Sequence, residues 1–239
     1  MKIALLGYGK MGKEIEKIAL ERDHQIVLKI DIDNAQDLNI ENLQKADVAI
    51  DFSIPDSAYN NIMKCFEASI PIVCGTTGWL DKFEEVTKYC KDHKKSFFYA
   101  SNYSIGMNIF FRVNSYLAEM MNRFSNYEVE IEEIHHIHKL DAPSGTAISL
   151  ADGIIEKIYR KEIWELDRQS KPEALKIKAL REDEVPGTHI ITYDSAVDFI
   201  EIKHSAKNRI GLAMGAVVAA EFIVGKTGYF NMDNLMNEA

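Results

Sequence analysis

Cysteine is scarce in this chain. Cys65, Cys74 and Cys90 are the whole supply, odd in number and without a paired spacing. That excludes a disulfide framework and a cysteine-built metal site, and it fits a reducing, cytoplasmic compartment. Positive charge is also in deficit. Lys and Arg number 28 against 37 Asp and Glu, a formal net charge of −9, which argues against nucleic acid or an anionic membrane surface as the main partner. An anionic small molecule is still accommodated wherever a pocket is locally basic. Long apolar runs are missing too. Leu212 to Val224, the most apolar late segment, is too short to span a bilayer and is broken by Glu221. The first apolar run stops at Gly7 and reads as a strand rather than a leader. No internal repeat or low-complexity tract is visible. What remains is 239 residues with 46% hydrophobic content, enough for one large or two small domains with substantial cores.

The first of these domains is legible from punctuation. Lys2 to Leu6 is an apolar strand that runs into Gly7-Tyr8-Gly9-Lys10-Met11-Gly12. A helix follows with Ile15, Ile18 and Ala19 on one side, and then a strand, Gln25 to Ile30, ending at Asp31. A lone G-x-G-x-x-G says little, but here it joins a strand to a helix, with an acid about 20 positions on, as dinucleotide binding requires. Gly7 makes the tight turn, Gly9 admits a pyrophosphate to the backbone, and Gly12 lets helix and strand approach. Asp31 accepts from a ribose. The alternation continues with a strand at Ala46–Phe52, a helix at Asp56–Ala68 and a strand at Pro71–Cys74 that ends in Gly75-Thr76-Thr77-Gly78. A helix at Leu80–Asp92 and a strand at Ser96–Ala100 that leads into Ser101-Asn102-Tyr103-Ser104 complete the series. Strands separated by helices imply an α/β fold with a doubly wound, parallel, Rossmann-type sheet, whose ligands sit at the carboxyl ends of its strands. The expected cofactor contacts are therefore Gly7 to Gly12, Asp31, Gly75, Thr76, Thr77, Ala100, Asn102 and Tyr103.

From about Ile105 the alternation fails. A helix over Met107–Phe124 leads to a strand over Tyr127–Ile134, in which Val129 and Ile131 alternate with Glu128, Glu130 and Glu132. The next residues, Glu133 to Ala147, read E-I-H-H-I-H-K-L-D-A-P-S-G-T-A, and a helix with an apolar stripe runs from Ala147 to Tyr159. Histidines, Lys139 and Asp141 thus crowd a loop between a strand and a helix N-terminus, where Ser144 is a natural cap and free amides point back at the loop. Such a loop suits an anion held by amides and Lys139, with a histidine to move a proton. No metal is expected, because H-E-x-x-H is absent and Lys139 would repel a cation. After a polar stretch, Arg160–Glu173, three β-like runs follow: Ala174–Leu180, Thr188–Asp194 and Ser195–His204. They imply a second, α+β domain with a mostly open sheet. The division is residues 1–104 plus 210–239 for the dinucleotide domain and 105–209 for a substrate-binding and oligomerisation domain.

The pairing of these two halves resembles the 4-hydroxy-tetrahydrodipicolinate reductase (dihydrodipicolinate reductase) family of diaminopimelate and lysine biosynthesis. The resemblance rests on G-x-G-x-M-G at Gly7–Gly12, D-F-S at Asp51–Ser53 and G-T-T-G at Gly75–Gly78. It rests also on S-N-Y-S-I-G at Ser101–Gly106 and, most specifically, on the motif from Glu133 to Ala147. It implies an NAD(P)H-dependent oxidoreductase acting on a small cyclic dicarboxylate imine, with the nicotinamide at a domain cleft and a homotetramer built through the second sheet. It implies His135 as proton donor and Lys139 as catalytic lysine, with His136, Ser144, Gly145 and Thr146 at the substrate carboxylates. Two positions depart from the family pattern. Ile32 stands where a basic residue suited to a 2′-phosphate is common, so NADH is expected to serve at least as well as NADPH. Asp183 stands where a glycine is common. The competing readings are another two-domain amino- or imino-acid dehydrogenase, and a nucleotide-sensing protein that binds cofactor without turnover.

Overall fold

The computed structural model describes residues 1–208 and 210–238. It forms two compact units, Met1–Ile105 with Ile210–Ala239, and Gly106–Arg209, each with its own apolar core. The chain begins with β1 (Lys2–Leu6), α1 (Lys10–Glu21), β2 (Gln25–Ile30), a 3-10 turn at Ile32–Asp37, and α2 (Ile40–Leu43). It continues with β3 (Val48–Asp51), α3 (Pro55–Ala68), β4 (Ile72–Cys74), α4 (Phe83–Asp92) and β5 (Ser96–Tyr99). Then come α5 (Ile105–Met121), β6 (Glu128–His135), α6 (Gly145–Lys157), β7 (Ile163–Leu166), β8 (Ala174–Arg181), β9 (Thr188–Asp194) and β10 (Phe199–Ser205). The chain returns to the first unit with α7 (Ile210–Ile223), β11 (Gly228–Phe230) and α8 (Met232–Glu238). Among the described residues no helix is long and apolar enough to cross a membrane.

In the first unit six strands form one sheet in the order β11-β5-β4-β3-β1-β2, and every pair is parallel. Successive side chains of a strand point to opposite faces, and here both faces are covered. Ile3 and Leu5 of β1 pack with Ile15 of α1 and with Ala216, Val217 and Ala220 of α7. Ala4 and Leu6 face the opposite layer, with Leu43, Ile62, Phe66 and Val86 from α2, α3 and α4. Burying each large aliphatic side chain contributes roughly 1.5–3 kcal/mol, so two-sided coverage explains why these strands are continuously apolar rather than alternating. The fold is the doubly wound α/β arrangement.

The second unit holds a mixed, open sheet in the order β10-β9-β6-β8-β7. The central strand β6 is antiparallel to β9 and parallel to β8. Val129, Ile131, Ile177, Ile191 and Tyr193 pack one face against Met107, Phe110 and Ala118 of α5 and Leu150, Ala151 and Ile154 of α6. On the other face charges pair across strands, Glu130 with Lys176 at 3.3 Å and Glu132 with Lys178 at 2.7 Å. The polar stretch at Arg160–Glu173 contains β7, a short edge strand. Lys161 secures its start: with its side chain buried, it donates to the Pro172 and Ala174 carbonyls at 2.7 and 3.0 Å and pairs with Glu128. The run expected at Ser195–His204 splits, because Ser195–Asp198 is a turn and pairing starts at Phe199.

Candidate active site

In the first unit the glycine turn lies where the strand order reverses. β1 and β3 are neighbours in the sheet, yet the chain leaving β1 goes outward to β2, so their carboxyl ends open at the topological switch point. Gly7 has φ +88°, and a Cβ there would lie 2.3 Å from the Phe52 carbonyl oxygen. A Cβ on Gly12 would lie 2.3 Å from the Gly7 carbonyl, whereas one on Gly9 meets nothing within 4 Å. Gly9 is the N-cap of α1 and makes no side-chain cap bond. The first-turn amides around Lys10, Met11 and Gly12 therefore lack a side-chain cap and border open space, as an anion site at a helix N-terminus needs. Those features fit the pyrophosphate of a dinucleotide.

At the end of β2, Asp31 is exposed and accepts from the Ile32 amide at 2.9 Å, while its own amide donates to Asn34 Oδ1 at 2.7 Å. That bracket fixes the carboxylate at the end of β2. Ile32 is 84% exposed and offers no charge. Lys29 is engaged elsewhere: its Nζ lies 2.6 Å from Glu16 and 3.2 Å from the Tyr8 hydroxyl, which itself donates to Glu16. Glu16 is held below the usual carboxylate range, first by Lys29 and then by Tyr8.

The later strand ends behave differently from one another. Gly75 lies under the Phe52 ring, where a Cβ would come within 2.2 Å of it. Thr77 is exposed, Ala100 is buried, and Asn102 accepts from the Ser104 amide at 2.9 Å. Thr76 and Tyr103 turn their side chains inward. Thr76 Oγ1 donates to Asp51 at 2.7 Å and accepts from the Ser53 amide at 2.9 Å, and the Tyr103 hydroxyl donates to the Cys74 carbonyl at 2.7 Å. Neither side chain is free to meet a cofactor as the sequence alone suggests. Asp51, a residue the sequence reading did not place in the site, is fully buried and also accepts from Asn61 at 2.8 Å. Burial raises its pKa, against the hydrogen bonds from Thr76 and Asn61.

The second unit gathers the motif loop around a buried carboxylate. Glu133 lies on the apolar face of β6, is 0% exposed, and accepts from the Ser144 amide at 3.1 Å to each oxygen. Arg181, opposite His135 in the β6–β8 register, donates from Nη2 to Glu133 at 3.2 Å and to the Asp141 carbonyl at 2.6 Å. It also donates from Nε to the Lys139 carbonyl at 3.3 Å. His135 Nδ1 stands 3.5 Å from Glu133 Oε2 and His189 Nε2 stands 3.8 Å from the same oxygen. The two rings are 5.2 Å apart and nearly perpendicular. Burial, first of all, holds His135 below the ordinary histidine pKa; Glu133 opposes that, and Lys139 and Arg181 reinforce it. Burial drives His189 further, down to about 3, with His135, His204 and Lys139 acting in the same direction.

The remaining expected residues sit around this centre. Lys139 Nζ pairs with Asp141 at 2.9 Å. His136 is half-buried with its Nδ1 lacking a partner among the described residues, and its ring lies 6.1 Å from that of His138. Ser144 caps α6, accepting from the Ala147 amide at 3.1 Å. Its bond takes the Ala147 amide and not the earlier first-turn amides of Gly145 and Thr146, and a Cβ on Gly145 would meet nothing within 4 Å. The Ala142–Pro143 peptide is cis. Asp183 adopts φ +39°, in the left-handed region that favours glycine. The strand end is kept, with Glu182 N donating to His135 O at 2.8 Å and Ile137 N to Asp183 O at 3.2 Å.

Glu133, His135 and His189 each offer a ligand atom within 4.8 Å of the others. A cation does not suit them. The carboxylate is already taken by an amide and a guanidinium, and Lys139 and Arg181 add positive charge to the surroundings. The set fits an anionic ligand and a proton instead.

The comparisons agree with this geometry. The family described as dihydrodipicolinate reductase, N-terminus, matches residues 1–103, and that described as dihydrodipicolinate reductase, C-terminus, matches residues 106–236. A 4-hydroxy-tetrahydrodipicolinate reductase of Christiangramia forsetii is 52% identical over 239 residues, covering 100% of this chain and 98% of its own. The enzyme of the same name from Neisseria meningitidis serogroup B is 31% identical over 92% of this chain and 83% of its own. Among solved structures, the dipicolinate-bound dihydrodipicolinate reductase from Paenisporosarcina sp. TG-14 superposes with a TM-score of 0.79 at 23% identity, covering 97% of both chains. The chain belongs to the dihydrodipicolinate reductase family and is an oxidoreductase with a pyridine-nucleotide-binding fold.

Proposed function

We propose that this reductase converts 4-hydroxy-tetrahydrodipicolinate to tetrahydrodipicolinate with NADH, in diaminopimelate and lysine biosynthesis. One carbon of the ring gains a hydride, the hydroxyl departs as water, and one proton is consumed. The bound nicotinamide supplies the hydride. The chain supplies position, charge and the proton. The observation that carries this reading is the β6–α6 connection, in which Glu133 binds the start of α6 through Ser144 and stands beside His135.

In this reading the amides of Gly145 and Thr146, together with Lys139 and His136, hold the two carboxylates. Lys139 exchanges its pairing with exposed Asp141 for a substrate carboxylate. His135 gives the proton. At the other end, Asp31 takes the ribose hydroxyls. Ile32 is neutral and Lys29 is tied to Glu16, so neither is set aside for a 2′-phosphate, which leaves Lys10 of the glycine turn as the cation through which NADPH could also serve. These facts support NADH as a cofactor at least as good as NADPH.

The test is NADH oxidation, followed optically, on adding freshly made 4-hydroxy-tetrahydrodipicolinate. His135→Gln should lower kcat by about 100-fold with KM changed less, the usual scale for a positioned acid. Lys139→Ala should damage both constants, since it removes a charge from the bound state and the transition state alike. NADH affinity should survive both changes. Wild-type kcat in His135→Gln at every pH would assign the proton to another group.

We propose further that the second sheet builds a homotetramer. Its face away from α5 and α6 carries the Glu130–Lys176 and Glu132–Lys178 pairs, and its edge strand β10 exposes Phe199 and Ile200. A sheet with an uncovered face and edge is economically closed by symmetric association. A stable monomer at micromolar concentration in light scattering would contradict this.

A further inference from the structure

A carboxylate buried in an apolar face is costly unless its lone pairs are used, and Glu133 accepts hydrogen bonds from two elements and has an imidazole of two more within 4 Å. The start of α6 donates through the Ser144 amide at 3.1 Å, and β8 donates through Arg181 at 3.2 Å. On β6 itself His135 Nδ1 is 3.5 Å away, and on β9 His189 Nε2 is 3.8 Å away. His135 Nδ1 is buried without a hydrogen-bond partner among the described residues, and the Glu133 carboxylate at 3.5 Å faces it. Its other nitrogen has room, since a Cβ built on Gly187 would come to 3.0 Å of Nε2 and glycine leaves that space open.

We propose that Glu133 is a positioning residue for the reduction. It holds the Nδ1 edge of His135, leaving Nε2 as the working nitrogen, and it locks Ser144 and Arg181, and through them the anion-holding loop, to the same carboxylate. The inference rests on the reading of His135 as proton donor. It resembles the way a buried acid fixes the tautomer of a catalytic imidazole and stabilises its cation. The groups facing His135 divide by sign. Glu133 on β6 and Asp141 in the loop favour the imidazolium; Arg181 on β8 and Lys139 in the loop oppose it. His189 on β9 stays neutral through the working range and does not compete for the proton.

A purely architectural Glu133 would hold α6 and Arg181 without touching the titration of His135, so titration discriminates. Protein carrying 13C-histidine is titrated by NMR, with the His135 signal assigned by its loss in His135→Gln, and the pH dependence of kcat/KM is measured alongside. Neutralising Glu133 removes support for the imidazolium. In Glu133→Gln the His135 midpoint should therefore fall by about one pH unit, and the basic limb of kcat/KM should move down with it, while NADH affinity is unchanged. Glu133→Asp keeps the charge but withdraws it, so its midpoint should fall less and its kcat recover in part. A midpoint equal to wild type in Glu133→Gln overturns the proposal. If that variant does not fold, a wild-type midpoint in Glu133→Asp with lowered kcat overturns it equally. A midpoint that moves while the kinetic limb stays still refutes the donor assignment, and with it Glu133's part in the reaction. A limb abolished by His135→Gln but unmoved by Glu133→Gln leaves the donor in place and overturns Glu133 alone.

Discussion

Acidification from pH 7 to pH 5 is expected to destabilise the protein through His189. The folded state holds this imidazole neutral, with its pKa lowered from 6.5 to about 3 by burial first and by His135, His204 and Lys139 after it. Its side chain is 5% exposed, and Nε2 stands 3.4 Å from Ser144 Oγ. A carboxylate 3.8 Å away would favour a cation, so burial is the stronger influence. In the unfolded chain the same ring protonates near 6.5, the ordinary value. Between those two values the unfolded state binds the extra proton, so stability rises with pH across that window. The contribution is present above about pH 6.5 and is lost as pH falls toward 3. With a limiting slope of about 1.4 kcal/mol per pH unit, the step from pH 7 to 5 is worth roughly 2 kcal/mol.

The interval isolates this group from most of its competitors. Glu16, Asp141, Glu165 and Glu221 have lowered pKa values, so their stabilisation disappears only below about pH 4.5. Asp51, raised by burial, has the opposite sign and gains as pH falls. His135 and His204 are lowered and add to the loss. The variant His189→Gln removes one titration and leaves the others. Urea unfolding at a fixed protein concentration, at pH 7 and pH 5, should show wild type losing about 2 kcal/mol more than the variant. Equal losses would mean that folded His189 protonates near its ordinary value, and the account of its burial would be wrong.

Two further outcomes follow from backbone and charge. kcat/KM with NADH should equal or exceed that with NADPH, because Asp31 is exposed, Ile32 is uncharged and Lys29 is held by Glu16; a clear NADPH preference in steady-state kinetics would refute this. Asp183→Gly should raise the melting temperature, by about 0.5–1 kcal/mol in stability, since Asp183 occupies φ +39° without glycine's freedom. A lowered melting temperature would show that the aspartate contributes more through its side chain than it loses in backbone strain.

Periodicity and punctuation made most of the architecture legible. The β/α alternation up to Tyr99 comes from buried strands bounded by Gly7, Gly75 and Ser101, and two of the fingerprint glycines, Gly7 and Gly12, occupy positions where a Cβ would strike backbone. Short edge strands were hidden. β7 has four residues, of which only part is apolar, and β11 has three, too few for any period to register. At Ser195–Asp198 the apolar Val197 disguised a turn. The Ser195 hydroxyl accepts from the Val197 and Asp198 amides at 3.3 and 3.2 Å, which is turn chemistry that hydropathy does not register. Thr76 and Tyr103 were read from their place at strand ends, and whether such a side chain faces ligand or core depends on Asp51 and Cys74, which sequence proximity does not bring to mind.

The active-site centre shows where reading along one strand stops. Along β6 the odd positions Val129 and Ile131 are buried in the core, and Glu133 and His135 continue that parity. An acid on the apolar side of an alternating strand is itself a signal, because it has no reason to be there without a partner. The signal names the residue but not the partner. His189 lies opposite Glu133 only because β6 and β9 pair antiparallel in one register, and Arg181 lies opposite His135 only because β6 and β8 pair parallel in another. A shift of one residue in either pairing would turn those side chains to the charged face. The loop from His135 to Ser144 is local in sequence and was found there. The carboxylate, guanidinium and second imidazole that fix it come together through non-local strand pairing.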